Sequence, residues 1–566
     1  MDDTAQRADA AAPAWRAWVG RWFWWLVGLG ALVTLSGLHL ELMEPDAALY
    51  ATIARSMAQS GNWLDLVARG EDWLDKPHLP FWVTALSFRV FGTSAWAYKL
   101  PALPFFALAL VYTFLFARRF YGDVVAKLAV LFVLFAQHLV LSNNDVRAEP
   151  YLLGPIIASL YHFIRAQERT VSWHLVWGAF FGALAMMTKG PFVMLPVAGG
   201  LVWHWARCGQ WRQALHPRWL LAGLLLLVFI TPELYALYRQ FDAHPEKVVF
   251  GQTGVSGVRF FFWDSQFGRF LNTGPIRGKG DPSFFLHTLL WAFLPWSLWF
   301  YAALGSRLRR NASPRRLPEY YALGASLLTL VVFSLSRFQL PHYTNILFPF
   351  FAIIAAAWVV RLERPSGWAR FASWAQALVV VVYFAASVLL LWVSRPSSIG
   401  LGLGVLVCAA GVVAALALFR RDFGLPGWVG RSVIAAATFS LLLNGLLYPE
   451  VLRYQAGVVA AQEIEALPER PLGLYGINSY ALEWRVSQPV HRWELSELQR
   501  AASDGPVHLF FPQADQQALE DAGLDVTPLR VIPHFPPTRL NGRFLNPRTR
   551  EAALRPMVLA EVRTRR

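Results

Sequence analysis

Charge is scarce in this sequence. Asp, Glu, Lys and Arg make up 15% of its 566 residues, against 56% hydrophobic residues and a mean hydropathy of +0.38, too apolar a balance for a soluble protein of this length. Cysteine is scarcer still. Cys208 beside a basic loop and Cys408 inside an apolar run are the only two, which excludes a disulfide framework and a CxxC metal site. The 13 histidines are scattered, with no HxxxH or HExxH among them, so no zinc motif is legible. Acids run short as well: 36 Asp and Glu face 51 Lys and Arg, a formal charge of +15. That excess is spread over short loops between apolar runs, which is a topology signal and argues against a nucleic-acid partner. Residues 1–20 carry acids and arginines and lack a small-residue cleavage site after the first apolar run. The first run therefore reads as an uncleaved span and not as a signal peptide. Internal repeats and low-complexity tracts are also missing.

What the sequence has in abundance is long apolar runs. A membrane crossing takes roughly 20 mainly apolar residues, and thirteen runs approach that, near 22–40, 98–117, 125–142, 150–164, 173–188, 191–206, 219–238, 284–304, 319–335, 341–360, 372–393, 399–419 and 431–448. The fold class expected is an all-α polytopic membrane protein with about 13 transmembrane helices. Arginines gather in alternate loops: Arg118–Arg119, Arg165 with Arg169, Arg207 with Arg212 and Arg218, "RLRRNASPRR" at 307–316, Arg361 with Arg364 and Arg370, and Arg420–Arg421. Those loops should be cytoplasmic, with the N-terminus inside and the C-terminal part outside. Segments 41–97, 143–149, 239–283 and "SRFQLPHY" at 336–343 then lie on the outer side. From about residue 451 the composition turns to that of a soluble protein. "PLGLYGI" and "PVHLFFP" read as short buried strands and "QADQQALEDAGL" as an amphipathic helix. The expected division is a transmembrane part, 1–450, and a small outer α/β domain, 451–566.

The first outer loop carries three acids, Glu41, Glu44 and Asp46, where the chain leaves the first span. After Pro45, Leu49, Ile53, Met57 and Ala58 recur at helical spacing, on a helix that also bears Arg55, Gln59 and Asn62. Such a stripe predicts a helix lying on the membrane surface. "PFWVTALSFRVFG" at 80–92, flanked by Lys76 and Lys99, is too short to span and should lie at the interface as well. Asp46 before a helix has a plain structural reading as an N-cap.

The order "EPDAALYATIARSMAQSGNWLDLVARGEDWLDKPHLPFW" resembles the first outer loop of the bacterial aminoarabinose transferase of lipid A and of its relatives among the protein O-mannosyltransferases, which are GT-C glycosyltransferases. "MMTKGPFVMLP" at 186–196, "FFFWDSQFGRF" at 260–270 and "SRFQLPHYTNILFPFFAI" at 336–353 resemble further segments of that family, in the same order. The resemblance implies sugar transfer from a polyprenyl (undecaprenyl) phosphate donor to a lipid, glycan or protein acceptor on the periplasmic face of a bacterial inner membrane. Such a displacement needs a carboxylate to take the acceptor's proton and cations to hold the departing phosphate. By resemblance the base is Asp46. Its family neighbours, a second acid and an Arg, are here Ala47 and Leu49. Glu149 matches an acid-Pro position, with Asp145 the alternative, and either could instead pair with Arg147. Lys76 in "DKP", Arg269 in "FGRF" and Tyr343 in "PHY", with His342 adjacent, match phosphate-holding positions. Lys189 in "TKGP" could contact substrate or anchor a span at the interface. Trp63, Trp73 and Trp263 could stack on sugar, although most of the 26 tryptophans suit an interfacial belt. No cofactor is required. A divalent cation between Asp46 and Glu149 is conceivable only if the fold brings them together.

Two other readings fit the composition. A polytopic transporter or flippase of lipid-linked sugars would show paired halves and broken helices at midplane, whereas here the ionisable residues collect at one face. A lipid-linked glycan ligase or polymerase shares the location and the lipid phosphate, but not the Pro-Asp and Lys-Pro order.

Overall fold

All thirteen apolar runs fold as helix in the computed structural model of the chain, which describes residues 13–169, 172–273, 278–311, 317–362, 366–420 and 424–565. Backbone in hydrocarbon must satisfy its hydrogen bonds within the segment, and helices do this. Among the described residues, seven helices are long and apolar enough to cross a bilayer alone. The pair Asp123–Leu134 and Gln137–Asn144, bent by 51°, makes an eighth if counted as one span. Other runs form shorter helices, such as Leu153–Ala166 with 14 residues and Tyr321–Leu335 with 15, and the run 284–304 is broken around Pro295 into Phe284–Ala292 and Ser297–Asn311. The protein is thus a multi-pass α-helical membrane protein. Helices Gly367–Ser394 and Ser398–Ala417 turn Leu378, Val381, Leu389, Leu403 and Leu406 outward, as suits a lipid-facing surface. Of the arginines used for orientation, Arg364, Arg421 and the stretch 312–316 lie outside the described residues.

The first loop folds differently from its expectation. Helix Asp46–Ser60 does form, and Gly61 in the left-handed region (φ 71°) ends it. Its apolar stripe, however, faces protein: Ile53 and Met57 are 1% and 2% exposed, packed with Phe81, Ala85 and Phe88 of helix Leu79–Phe91 and with Trp484 of the C-terminal segment. Helical periodicity reports an apolar face and cannot say whether lipid or protein covers it. Lys99, which flanks the second candidate for the interface, is buried, and its ammonium donates to the carbonyls of Gly37 and Leu40 at the end of the first membrane helix (3.0 and 2.7 Å). Helix Leu79–Phe91 keeps one apolar edge outward, with Leu86, Val90 and Phe91 exposed, while its other face packs inward.

Beyond residue 451 a five-stranded sheet forms, with β3 (Leu472–Leu474), β4 (Val490–Arg492), β5 (Val507–Pro512), β6 (Leu524–His534) and β7 (Arg555–Thr564) in the order β4-β3-β5-β7-β6; β1 (Val67–Ala68) and β2 (Glu71–Asp72) form a small hairpin in the first loop. The parallel strands β3 and β5 are the two expected from sequence, and "QADQQALEDAGL" contributes the short helix Gln516–Asp521. The antiparallel β6 and β7 were not foreseen, because β6 contains two prolines and turns most of its residues to solvent, which hides strand alternation.

This segment docks on the first loop. Arg55 donates to the carbonyls of Glu483, Trp484 and Val486 (2.8 to 3.1 Å), at the C-terminal end of helix Tyr480–Arg485. Glu44 accepts at the opposite end from Ser479 Oγ (2.9 Å) and the Ala481 amide. Arg69 pairs with Glu483 and Arg485 with Glu41. Gln455 bonds the backbone of both Leu42 and Glu44.

Candidate active site

Asp46 is the first residue of its helix. Pro45 stands at the cap position and no side chain caps the helix, so the N-cap reading of Asp46 is not realised. Its carboxylate instead lies 2.7 Å from Arg147 Nη1. Arg147 sits in the turn after helix Gln137–Asn144, and its other nitrogens meet Asp145 Oδ2 at 2.8 and 2.9 Å. One planar guanidinium therefore bridges two acids, a geometry that Lys could not supply. The plain pairing of an acid with Arg147 holds for Asp145 and Asp46, and not for Glu149.

Glu149 opens the short 3-10 turn Glu149–Tyr151 and is almost fully buried. It pairs with Lys189 Nζ, and His342 Nε2 lies 3.6 Å from its Oε1. Burial alone would push this carboxyl up, but His342 and Lys189 outweigh it and hold it down at about 2. Lys189 ends helix Trp173–Lys189, stopped by Gly190 at φ 90°. A Cβ at residue 190 would meet only the amide end of the flexible Gln266 side chain, so the glycine of "TKGP" is needed chiefly for its positive φ. The Lys189 ammonium also lies 4.2 Å from the Tyr343 ring centroid, within cation–π range. It thus stands in one cluster with Glu149, His342 and Tyr343.

Two adjoining cavities gather these groups. One, about 560 Å³ with its open mouth, is lined mainly by polar side chains, Asp46, Tyr50, Asp75, Lys76, Arg147, Glu149, Lys189, His342 and Tyr343, together with Ala148, Phe338 and Leu340. The other, about 1000 Å³ with its open mouth, is mainly apolar, with Leu152, Phe192, Val193, Leu237, Phe260, Phe261, Phe270, Phe333 and Ile346 in its wall. Asp75, Lys76, Lys189, Phe338 and Tyr343 line both. The junction between greasy and polar space is therefore marked by two lysines and a phenol.

The remaining candidates divide. Asp145 lies behind Arg147 and is not among the residues lining either cavity. The Arg269 side chain lies outside the described residues; its neighbour Phe270 lines the apolar cavity. Trp63 lines neither cavity: its carbonyl accepts from Trp82 Nε1 (2.7 Å) and its ring lies 5.9 Å from the Arg89 guanidinium. Trp73 packs edge-on against Tyr50 and Phe81, and Trp263 is exposed. Among the described residues no group of three or more His, Cys, Asp or Glu side chains is placed to hold a metal ion; Asp46 and Glu149 share the chamber, each engaged by a cation. Sequence reasoning missed Asp75, which pairs with Lys76, and Tyr50. An acid directly before the lysine of "DKP" was the available signal for the first.

Comparison with known proteins finds relatives of this helical bundle both in sequence and in fold. Residues 75–235 match the family model described as dolichyl-phosphate-mannose-protein mannosyltransferase. The chain is 28% identical over 431 residues, 73% of each chain, to an undecaprenyl phosphate-alpha-4-amino-4-deoxy-L-arabinose arabinosyl transferase of Pseudomonas aeruginosa. It is 25% identical over 491 residues, 82% of this chain and 78% of the relative, to a second such transferase of Pseudomonas fluorescens. The crystal structure of ArnT from Cupriavidus metallidurans bound to undecaprenyl phosphate superposes with a TM-score of 0.74 at 21% identity, covering 96% of this chain and 98% of that one. The chain is accordingly similar in sequence to these arabinosyl transferases and shares the fold of the ArnT structure.

Proposed function

We propose that the chain transfers a sugar from undecaprenyl phosphate or a like polyprenyl phosphate to a hydroxyl of a lipid, glycan or protein acceptor, at the outer face of a bacterial inner membrane, by one inverting displacement. The observation that carries this is the junction of the two cavities, where Lys76, Lys189 and Tyr343 stand between an apolar wall and a chamber containing Asp46. An amphiphile with a charged head and a hydrocarbon tail fits that boundary. The name of the Pseudomonas relatives and the ligand of the Cupriavidus structure support a lipid phosphate donor. The arginine asymmetry of the loops supports the outer face, with the sheet-bearing segment 451–566 as a periplasmic domain.

In the displacement, Asp46 takes the acceptor hydroxyl's proton as that oxygen bonds the anomeric carbon, and the bond from that carbon to the phosphate oxygen breaks toward the lipid phosphate. Arg147, paired with Asp46, orients it toward the chamber. As charge grows on the phosphate, Lys76, Lys189 and the Tyr343 hydroxyl meet it, in a cavity wall where such interactions are strong. Arg269 joins them by its place in "FGRF". Glu149, buried and neutralised, is a poor base; its role is to hold Lys189.

The test is transfer of a radiolabelled sugar from purified polyprenyl-phosphate sugars by the full chain in detergent. Wild type should transfer and Asp46→Asn should not. Absence of transfer by wild type across donors and acceptors, with uptake of lipid-linked sugar into vesicles, would replace this reading by a transporter. If Asp75→Asn rather than Asp46→Asn abolishes turnover, the base is Asp75, another acid of the chamber.

A further inference from the structure

We infer that Glu233 and His78, two residues with no role in the displacement, are positioning residues that set Lys76 at the cavity junction. The inference rests on the reading of Lys76 as a phosphate-holding group. Glu233 lies in membrane helix Arg218–Leu237, directly after Pro232, and is fully buried. An ionisable residue at such depth is retained for a reason other than packing, since an apolar residue would anchor the loop without desolvation.

Its partner explains it. Glu233 Oε2 accepts from the His78 amide at 2.9 Å, and Oε1 lies 3.0 Å from His78 Nδ1. His78 Nε2 meets the Leu64 carbonyl at 2.9 Å. That carbonyl can only accept, so Nε2 carries a hydrogen. A second proton is then shared between Nδ1 and Oε1, whether as imidazolium with carboxylate or as imidazole with carboxylic acid. Either form closes the contact, and the fully buried ring leaves no nitrogen unsatisfied.

The same helix holds the loop at its other end. Gln240, in the helical turn that extends it, accepts from the Leu66 amide (3.0 Å) and donates to the Leu66 carbonyl and Asp72 Oδ1 (both 2.9 Å). Lys247 adds an ion pair to Asp72 at 3.0 Å. Between the anchors at residues 72 and 78 lie five residues, of which Leu74, Asp75, Lys76 and Pro77 all line the apolar cavity, as does Glu233 itself. The segment carrying Lys76 is thus a short bridge pinned at both ends to one membrane helix, and that helix runs on into the loop carrying "FGRF". His78 also begins helix Leu79–Phe91, its carbonyl accepting from the amides of Phe81 and Trp82 (both 2.9 Å). A shift of His78 would therefore move Lys76 on one side and the helix on the other.

The experiment is a double-mutant cycle on the affinity of the purified full chain in detergent for undecaprenyl phosphate. Glu233→Leu should weaken binding about tenfold in the wild-type background and less than twofold in Lys76→Ala, because its effect passes through Lys76. Glu233→Gln, which can accept from the His78 amide and donate to Nδ1, should stay within threefold of wild type. Equal losses in the two backgrounds, or an unchanged affinity in Glu233→Leu, overturn the inference. Should Glu233→Leu not fold, His78→Phe, which keeps a ring and removes both nitrogens, supplies the same cycle with the same expected and overturning results. If Lys76→Ala alone binds as tightly as wild type, the donor-phosphate reading of Lys76 fails first and takes this inference with it. If Lys76→Ala is weakened and Glu233→Leu is not, only the inference fails.

Discussion

The two cavities share five lining residues yet differ in what else surrounds them. The apolar one is walled by Phe and Leu side chains of membrane helices and of the segment 260–270, whereas the polar one is built from short turns: the start of helix Asp46–Ser60, the turn at 145–149 and the stretch 338–343. Helix faces suit a tail that needs only hydrocarbon. Turns suit a head group, because they bring acids and cations from distant parts of the sequence within hydrogen-bond reach. The boundary between them, and not either cavity alone, is the chemically informative place.

The largest effect should come from the polar side. Asp46→Asn is expected to lower kcat by about 100-fold or more, the usual range for a lost general base, while undecaprenyl phosphate affinity stays within twofold; single-turnover transfer and a binding titration read the two separately. At the boundary, Lys76→Ala should do the reverse. Loss of a charge-assisted contact, about 1.5–3 kcal/mol, should weaken lipid phosphate binding by roughly ten- to a hundredfold. If both variants lost kcat and affinity together, the two cavities would be one functional unit and the division drawn here would be wrong.

Next is the pair that stiffens the wall. Glu149→Gln leaves Lys189 without its carboxylate, and breaking a buried pair costs about 3–5 kcal/mol, so thermal unfolding should shift down clearly. The sign with pH follows from the depressed value of Glu149. Its stabilisation is fully present above the ordinary carboxyl range and is lost only as pH falls toward about 2, so stability from this source should be flat between pH 8 and 5. Glu44 behaves oppositely. Burial pushes its carboxyl up to about 7, only partly offset by the bonds from Ala481 and Ser479. A raised carboxyl stabilises the fold while protonated, so this contribution is complete below the ordinary carboxyl range and is lost as pH rises through about 7. Protection factors in helix Tyr480–Arg485, with the intrinsic base-catalysed rise divided out, should therefore fall from pH 5 to 8, and Glu44→Gln should flatten that response.

The helical, multi-pass character was legible in the sequence because apolar runs act through the bilayer, which treats every helix alike. The junction residues were legible one at a time: Asp46, Lys76, Lys189, Glu149, His342 and Tyr343 stand in short motifs and do converge. Their pairing was not legible. Whether Arg147 takes Glu149 or Asp46 depends on where a turn points relative to a helix about a hundred residues earlier. The loop helix was misread for the same reason, since its stripe is covered by Trp484, which no local pattern announces. Glu233 offered one overlooked signal, a lone acid within an apolar run.

The smallest effect tests where the polar chamber ends. Trp63 stands apart from both cavities, and its backbone carbonyl accepts from Trp82 Nε1. Trp63→Ala should therefore keep that bond, lose its packing at the edge of the buried first-loop cluster and its contact with Arg89, and leave kcat/KM for transfer within twofold. Trp73, whose ring packs on the chamber residue Tyr50, should cost more when removed, because Tyr50 then loses one of the two rings that fix it. A tenfold rise in acceptor KM for Trp63→Ala, with lipid phosphate affinity unchanged, would mean that the acceptor reaches past the chamber onto the loop around residue 63. The polar region would then extend well beyond the turns that now define it.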